Sequence, residues 1–567
     1  MTIPLRAIAH FDDGESADVT SRAVFSAEDL SAVEIDVGTA TARVARPGRH
    51  LVIARFLGHV EPIEFIVPPA GAAVDLSAEP RANLIDGFVL EALETLRIPP
   101  SPPSDDATFL RRATLDLSGR LPTPEAVDAF LGDPDPARRA MLVDRLLRSD
   151  EFTSYWTYQL AGPFGVRARG MGPDRELAGA IAYRVWLADQ IRTDAGYDEI
   201  ARAVLLADGD THLVGPANFY RAADGPGGLA EFTGELFLGS RIRCANCHDH
   251  PLDRWTQDDY HGLAAIIATV KGDRVIEPDP DGDVIHPATL EPAIPRIPGE
   301  ADLPPTEGGR AVLAEWLTDR DNPHFSRTIV NRLWSRLMGR GLVDPVDDFR
   351  ATNPPTHPEL LDALAEDFEE HGHRIRHTLR LIATSATYAR ESSATGVDEL
   401  GSKFYAHRLR RPLEPEVLAD AFSDALGVPE PYGAEPIGTR SVDLVDPEAM
   451  SRSLDVLGRR GRVDPCEGPG EGAAGLPRSL HLVNGPLLNA RIGATGGRLD
   501  RLISSGSVPV QVVDASYVAA LGRHLSAEER RFWAEHLDEH RPDAEQRATL
   551  EDIVWGLLAS AEFRSNH

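Results

Sequence analysis

The chain has 567 residues, more than one hydrophobic core usually organises, so about three domains are expected. Its 89 acidic and 58 basic residues give a formal net charge of -31. Nucleic acids and anionic membranes are bound through basic surfaces, so this charge argues against both as general partners. The sequence has no stretch of about 18 apolar residues, and no membrane span is predicted.

Residues 1–69 are predicted to form a small all-β sandwich. Short runs of alternating apolar and polar residues, the clearest at 51–56 and 63–67, are typical of strands. A hairpin and its next strand are indicated by Phe11-Asp12-Asp13-Gly14 and Asp18-Val19-Thr20. This pattern resembles bacterial Ig-like domains of group two. Residues 68–73 carry prolines and small side chains and are predicted to be a linker.

After about residue 80 the apolar residues recur with the period of helices. We predict a helical domain over 80–271, a linker rich in proline and aspartate over 272–309, and a second helical domain over 310–567. Thr123 and Pro124 supply the N-cap and first residue of one helix, and Ser526 with Glu529 forms a capping box before another. The predicted fold class is therefore mainly α: a large multi-helical body in two domains, preceded by the small Ig-like sandwich.

One predicted helix end is rich in charged and imidazole side chains: Glu369, Glu370, His371 and His373. Histidines close to a helix C-terminus interact favourably with the helix dipole. We therefore predict that this end of the helix is exposed.

The stretch from Arg243 to Pro251 holds two of the three cysteines of the chain. Cys244, Cys247 and His248 form a C-x-x-C-H motif. On a helical turn these residues fall within an arc of about 100°, so the two thiols and the imidazole face one way. Each thiol can add to one vinyl group of a haem while the imidazole reaches the iron as axial ligand. The motif therefore predicts a haem c attachment site.

Two alternatives stay open, because C-x-x-C pairs also occur in zinc sites and thiol redox sites. In the first, Cys244, Cys247 and either His248 or His250 bind zinc with a remote fourth ligand such as Cys466. In the second, the protein is a non-catalytic cell-surface scaffold in which the motif only stabilises the structure. The sequence contains no P-loop, G-x-S-x-G or H-E-x-x-H motif, so it assigns no catalytic residue.

Further motifs surround the cysteine pair and continue into the second helical domain. In the first domain they are I-D-G-F-V at 85–89, F-L-R-R-A-T-L-D-L-S-G at 109–119, L-P-T at 121–123, F-L-G at 237–239, C-A-N-C-H-D-H-P at 244–251 and D-Y at 259–260. In the second they are N-P at 322–323, N-R-L-W at 331–334, G-R-G-L-V at 339–343, H-P-E-L-L at 357–361, S-A-T-Y at 385–388, L-H-L-V-N-G at 480–485 and E-F-R-S-N-H at 562–567. Together they resemble a pairing known from planctomycetes and related bacteria. This is the planctomycete-type cytochrome domain of the second type, followed by the planctomycete-specific domain of the first type.

This resemblance implies a haem c protein that transfers electrons or assists a redox enzyme, with a separate redox or exported protein as its partner. It also implies an extracytoplasmic location, in the periplasm or at the cell surface. The chain departs from the family at two points. Residues 1–6 show no basic region leading into an apolar one, so no signal peptide is predicted. Only Cys466 remains of a cysteine pair present in many relatives, and the role of that pair is not carried over.

Overall fold

The computed structural model describes residues 2–11, 13–169, 176–304, 309–392, 399–459, 485–537 and 543–567. Within these ranges a small β region precedes a large helical body, in agreement with the predicted fold class. Cys466 and most of the L-H-L-V-N-G motif at 480–485 lie outside the described residues.

The β region consists of short antiparallel strands that pack around a core of their own. They are β1 (Thr2–Pro4), β2 (Ile8–His10), β3 (Ser16–Asp18), β4 (Val24–Ala27), β5 (Val33–Asp36), β6 (Thr41–Val44), β7 (Gly48–Phe56) and β8 (His59–Val67). The sheets have the orders β1-β6-β5 and β4-β7-β8, with β2 and β3 as a separate pair. Their shared core includes Phe25, Val33, Ala42 and Val52. The two runs that predicted strands lie within β7 and β8.

The sandwich contacts the helical body through Arg49 of β7. The guanidinium is 3% exposed and lies 2.9 Å from Glu64 of β8. It also donates a 2.8 Å hydrogen bond to the carbonyl of Pro355, in the helical body. The buried cation is thus satisfied from both sides, as a buried charge must be.

The first half of the helical body runs from residue 84 to residue 278. Its α-helices are α1 (Leu84–Leu96), α2 (Asp106–Ser118), α3 (Pro124–Leu131), α4 (Arg138–Leu147), α5 (Asp150–Ala161), α6 (Ala178–Arg192), α7 (Tyr197–Leu205), α8 (Gly225–Thr233) and α9 (Gln257–Ala268). The start of α3 is as predicted, because the Thr123 side chain accepts a hydrogen bond from Ala126 N. Three short strands, β9 (Gly209–Asp210), β10 (Val270–Lys271) and β11 (Val275–Pro278), form an antiparallel sheet.

Residues 279–304 contain no helix, and they pack against the body. Ile297 is buried, and Arg296 N donates to the carbonyl of Gly262 in α9 at 3.3 Å. The segment predicted as a linker is therefore fixed to the helical domain that precedes it.

The second half resumes at residue 309. Its elements are α10 (Gly309–Leu317), α11 (Phe325–Met338), α12 (Pro358–Glu370), α13 (Ile375–Ala383), α14 (Glu399–Lys403), β12 (Arg411–Pro412), α15 (Pro415–Leu426), α16 (Arg452–Leu457), α17 (Pro486–Ile492), α18 (Arg498–Ser504), α19 (Pro509–Leu521), α20 (Ala527–His536), α21 (Asp543–Ala559), α22 (Ala561–Arg564) and β13 (Ser565–Asn566). The predicted capping box of Ser526 and Glu529 is present at the start of α20.

One continuous hydrophobic core runs through both halves, from Leu76 to Phe563. Buried polar groups also connect the halves. Asp86 of α1 accepts 2.8 Å hydrogen bonds from the backbone and hydroxyl of Thr387, which follows α13. Asp116 of α2 accepts a 2.7 Å hydrogen bond from Asn566. The two helical segments are therefore packed as one body.

Among the described residues, no helix combines the length and the apolar character that crossing a bilayer requires.

Candidate functional site

The C-x-x-C-H motif follows a sharp change in helix geometry. Helix α8 continues into a π-helical turn at Gly234–Leu238, a feature often found at functional sites. The turn ends at Gly239 in the left-handed conformation, with φ of 62°. A Cβ at this position would lie 2.7 Å from the Phe349 ring and 2.8 Å from the Thr328 hydroxyl. Glycine is therefore needed here both for its backbone angle and for space.

Cys244 lies within a 3₁₀ turn at Ile242–Asn246, and Cys247 is the C-cap of that turn; the sequence predicted an α-helical turn here. A 3₁₀ helix has three residues per turn, so residues i and i+3 are aligned. Ile242 and Ala245 are buried and anchor the inner side of the turn. Cys244 and Cys247 are unpaired and exposed on the outer side. The alignment therefore presents both thiols to solvent.

His248 is exposed directly after this turn. Its Nδ1 lies 2.7 Å from the carbonyl oxygen of Asp249. A carbonyl can only accept, so Nδ1 carries the proton and the neutral ring keeps its lone pair on Nε2. A backbone carbonyl often fixes a metal-ligating histidine in this way. The His248 ring is thus prepared to coordinate through Nε2.

Helix α9 fixes the turn in place through the carbonyl of Asn246, which lies between the two cysteines. This oxygen accepts hydrogen bonds from Gln257 Nε2 at 3.2 Å and His261 Nε2 at 3.0 Å. Gln257 N also donates to the Asp249 carboxylate at 2.9 Å. Burial lowers the pKa of His261, and its hydrogen bond to Asn246 opposes that shift. The first residues of α9 therefore position the whole motif.

A charged group borders the turn on the side of α8. Glu231 accepts a 2.9 Å hydrogen bond from the Tyr260 hydroxyl and lies 3.8 Å from Arg243. Burial, followed by the negative charge of Glu231, raises the pKa of Tyr260. The Arg243 side chain is 83% exposed and stands beside Cys244 in the sequence. It is therefore available to pair with an anionic group bound at the motif.

His250, which the zinc alternative offers as an additional ligand, is half-buried and is hydrogen-bonded to the backbone instead. Its Nδ1 accepts a 3.2 Å hydrogen bond from Leu252 N, so in the neutral ring Nε2 carries the proton. All four candidate side chains are described by the structure, yet no three of Cys244, Cys247, His248 and His250 bring ligand atoms within 4.8 Å of one another. A zinc ion would require these side chains to rearrange. The suggested remote ligand, Cys466, lies outside the described residues.

Gln257 and His261 were not predicted from the sequence to be part of this site. Their side chains reach the motif because α9 packs closely against the 3₁₀ turn. The sequence does contain a signal for the start of α9 soon after the motif, the capping box of Thr256 and Asp259. Which side chains of α9 then face the turn depends on the loop between them, and local periodicity does not determine that path.

These features define a mainly helical protein that presents a C-x-x-C-H motif on its surface. A family model described as PSCyt2, a protein of unknown function (DUF1549), matches residues 84–272. A second, described as PSD1, a protein of unknown function (DUF1553), matches residues 309–537. The chain therefore belongs to the proteins in which a PSCyt2 domain precedes a PSD1 domain, and the predicted resemblance is confirmed. The preceding strands are consistent with an Ig-like region. No curated protein and no solved structure matches the chain.

Proposed function

We propose that this protein is an extracytoplasmic haem c protein that transfers electrons or assists a redox enzyme. Cys244 and Cys247 are the residues that would hold the haem through thioether bonds, and His248 would bind its iron. Bound in this way, the group would supply a reversible one-electron couple at its iron. The observation that carries the proposal is the 2.7 Å contact from His248 Nδ1 to the Asp249 carbonyl, which leaves Nε2 free to coordinate.

The donor set fits haem better than a single metal ion. Two thioether bonds are made to two separate vinyl carbons, whereas zinc needs its ligands around one centre. The thiols of Cys244 and Cys247 are exposed, which suits bonds to two separate vinyl carbons. They do not converge with His248 or His250 on one centre, which disfavours zinc. This supports haem over the zinc alternative.

The residues around the motif have distinct tasks under this proposal. Asp249 holds the His248 ring in its tautomer, and Gln257 and His261 fix the turn that carries the thiols. The exposed guanidinium of Arg243 is placed to neutralise a haem propionate. Because the motif lies at the surface, a redox partner protein could approach the cofactor without any rearrangement of the helical body.

The extracytoplasmic location follows from the chemistry of attachment. In known systems, haem is joined to C-x-x-C-H motifs outside the cytoplasm. The proposal therefore requires that the protein reach that compartment. Cell fractionation with an antibody against the protein would test this, and recovery of the haem-loaded form in the cytoplasm would contradict it.

The cysteine roles are tested by the double variant Cys244→Ser/Cys247→Ser. The protein is produced outside the cytoplasm together with haem-ligation enzymes and then separated on a denaturing gel. We expect the wild-type band to keep its haem, since thioether bonds survive denaturation, and the double variant to lose it completely. The measurement is the peroxidase stain of the haem in the gel.

Cys466→Ser is the matched control, because it removes a cysteine outside the motif. This variant should keep the full haem stain. Equal loss of haem in Cys466→Ser, or a wild-type protein that releases its haem on denaturation, would overturn the assignment.

A further inference from the structure

A second cluster of potential ligands lies far along the chain from the cysteines, where α12 ends and α13 begins. It consists of Asp367, His371 and His377, whose ligand atoms all lie within 4.8 Å of one another. Asp367 is in the last turn of α12, His371 caps that helix, and His377 is in the first turn of α13. This cluster takes no part in the proposed haem site.

Both imidazoles are directed at the same carboxylate. His377 Nε2 lies 2.8 Å from one carboxylate oxygen of Asp367. His371 Nδ1 lies 3.4 Å from the other carboxylate oxygen and 2.7 Å from the Asp367 backbone carbonyl. The two rings are stacked, with their centroids 3.7 Å apart and their planes at 11°. In the neutral rings Nδ1 of His371 donates to the Asp367 carbonyl and Nε2 of His377 donates to its carboxylate. Moving each proton to the opposite ring nitrogen gives up these two hydrogen bonds and frees one lone pair on each ring for a cation. A cation could then be held between one oxygen and two nitrogens.

The scaffold below the cluster is rigid. Phe368 and Leu379 are fully buried and Ile375 is nearly so, which fixes both helices to the core. The connecting turn is closed by a 2.8 Å hydrogen bond from His373 N to the Phe368 carbonyl. The sequence analysis predicted this helix end to be exposed, which is true of Glu370 and His371 but wrong for Glu369 and His373, which are half-buried. Buried anchors of this kind reduce the entropy that ligand ordering costs.

The distances suit a small divalent ion. Ligand atoms at about 2.1 Å from a tetrahedral zinc ion are about 3.4 Å from one another. Two of the contacts in the cluster are 2.8 and 3.4 Å, so the ligand atoms are already close to these separations. Binding turns the two stacked rings so that their in-plane lone pairs meet at the ion. Imidazole and carboxylate donors favour zinc and its first-row neighbours, whereas magnesium and calcium prefer oxygen donors. The side chain of His371 is 47% exposed, which leaves access for the ion and for a water as fourth ligand.

We infer that Asp367, His371 and His377 form a binding site for a divalent transition-metal ion of the zinc class. The ion joins the end of α12 to the start of α13. Because it binds only the folded chain, it also raises the stability of this part of the body.

The site is tested with cobalt(II), whose visible absorption reports its ligands. The starting protein is the full chain carrying Cys244→Ser and Cys247→Ser, so that no thiolate of the C-x-x-C-H motif takes part. We expect this protein to bind one equivalent of cobalt with the spectrum of nitrogen and oxygen ligands. Adding His371→Ala and His377→Ala should abolish that equivalent. Zinc should compete with cobalt and raise the melting temperature only while both histidines are present.

His536→Ala, added to the same starting protein, is the matched control. Like His371, His536 ends a helix and places Nδ1 2.7 Å from the carbonyl four residues before it, but within the described residues it belongs to no ligand cluster. This variant should keep the full cobalt equivalent. Should the two-histidine variant fail to fold in the presence of a chelator, Asp367→Asn is used instead, with the same expected loss. Unchanged cobalt binding without these ligands, or no binding in the starting protein, would overturn the site.

The haem proposal and this inference can fail separately, since the cobalt experiment is done without the cysteines that haem attachment needs.

Discussion

Asp116→Ala is expected to lower the free energy of unfolding by about 3–5 kcal/mol, because it leaves buried cations without their counter-ion. The Asp116 carboxylate is fully buried and lies 3.2 Å from Arg408, itself only 1% exposed. It also pairs with Arg411 and accepts a 2.8 Å hydrogen bond from the Tyr388 hydroxyl. Burial lowers the pKa of Arg408 to about 9, and Asp116 is the main group that opposes this shift.

The measurement is the urea midpoint followed by circular dichroism, with Asp362→Ala as the control. Asp362 pairs with Arg327 at 2.6 Å, but both side chains are substantially exposed, so this pair should contribute little. The interpretation of Asp116 as the centre of a buried network fails if both variants unfold at the wild-type midpoint.

His248→Ala is expected to produce the largest change in the cofactor without removing either attachment point. Cys244 and Cys247 remain, so the haem that is attached should stay covalently bound. Its iron would lack the imidazole, and its reduction potential should move by a measurable part of the roughly 0.8 V range that axial ligands control. Visible spectroscopy and a redox titration measure these changes, and added free imidazole should reverse them in part.

His250→Ala separates haem from zinc in the same experiment. His250 directs Nδ1 to the backbone of Leu252, so its loss should leave the haem spectrum and potential unchanged. Zinc binding through Cys244, Cys247 and either His248 or His250 predicts bound zinc without a haem spectrum, and loss of that zinc in the variant that removes the histidine ligand. A spectrum that changes equally in His248→Ala and His250→Ala would contradict the assigned roles.

Local signals in the sequence were sufficient for most elements of the fold. The caps at Thr123 and Ser526 and the alternation within β7 and β8 depend on neighbouring residues, and each is found as predicted. The contacts between distant segments could not be predicted in this way. Asp116 meets Asn566 across 450 positions of the chain, and no periodicity indicates such a pair.

The structure also gives a physical reason for several motifs that carried the family resemblance. Asp86 in I-D-G-F-V binds Thr387 in S-A-T-Y, and Asp116 in the long α2 motif binds Tyr388 and Asn566. These residues are buried and hydrogen-bonded to one another, which indicates a role in joining the two family segments. In the C-x-x-C-H motif, by contrast, Cys244 and Cys247 are exposed and unpaired.

For the site itself, the sequence predicted an α-helical turn, and the structure has a 3₁₀ turn there instead. The residue types and spacing of Cys244, Cys247 and His248 were enough to suggest a common face. The 3₁₀ form of the turn depends on Gly239 and on the carbonyl of Asn246 being held by α9. Those are tertiary contacts, and they became visible only in the folded chain.

The central claim is that Cys244 and Cys247 carry haem, and peptide mass spectrometry tests it most directly. Trypsin cleaves after Arg243 and Arg254 and releases residues 244–254, which contain the whole motif. Wild-type protein matured outside the cytoplasm should yield this peptide with the mass of one haem added and with neither thiol open to alkylation. A peptide that carries no haem and two alkylated cysteines, from protein matured in the same way, would contradict the account.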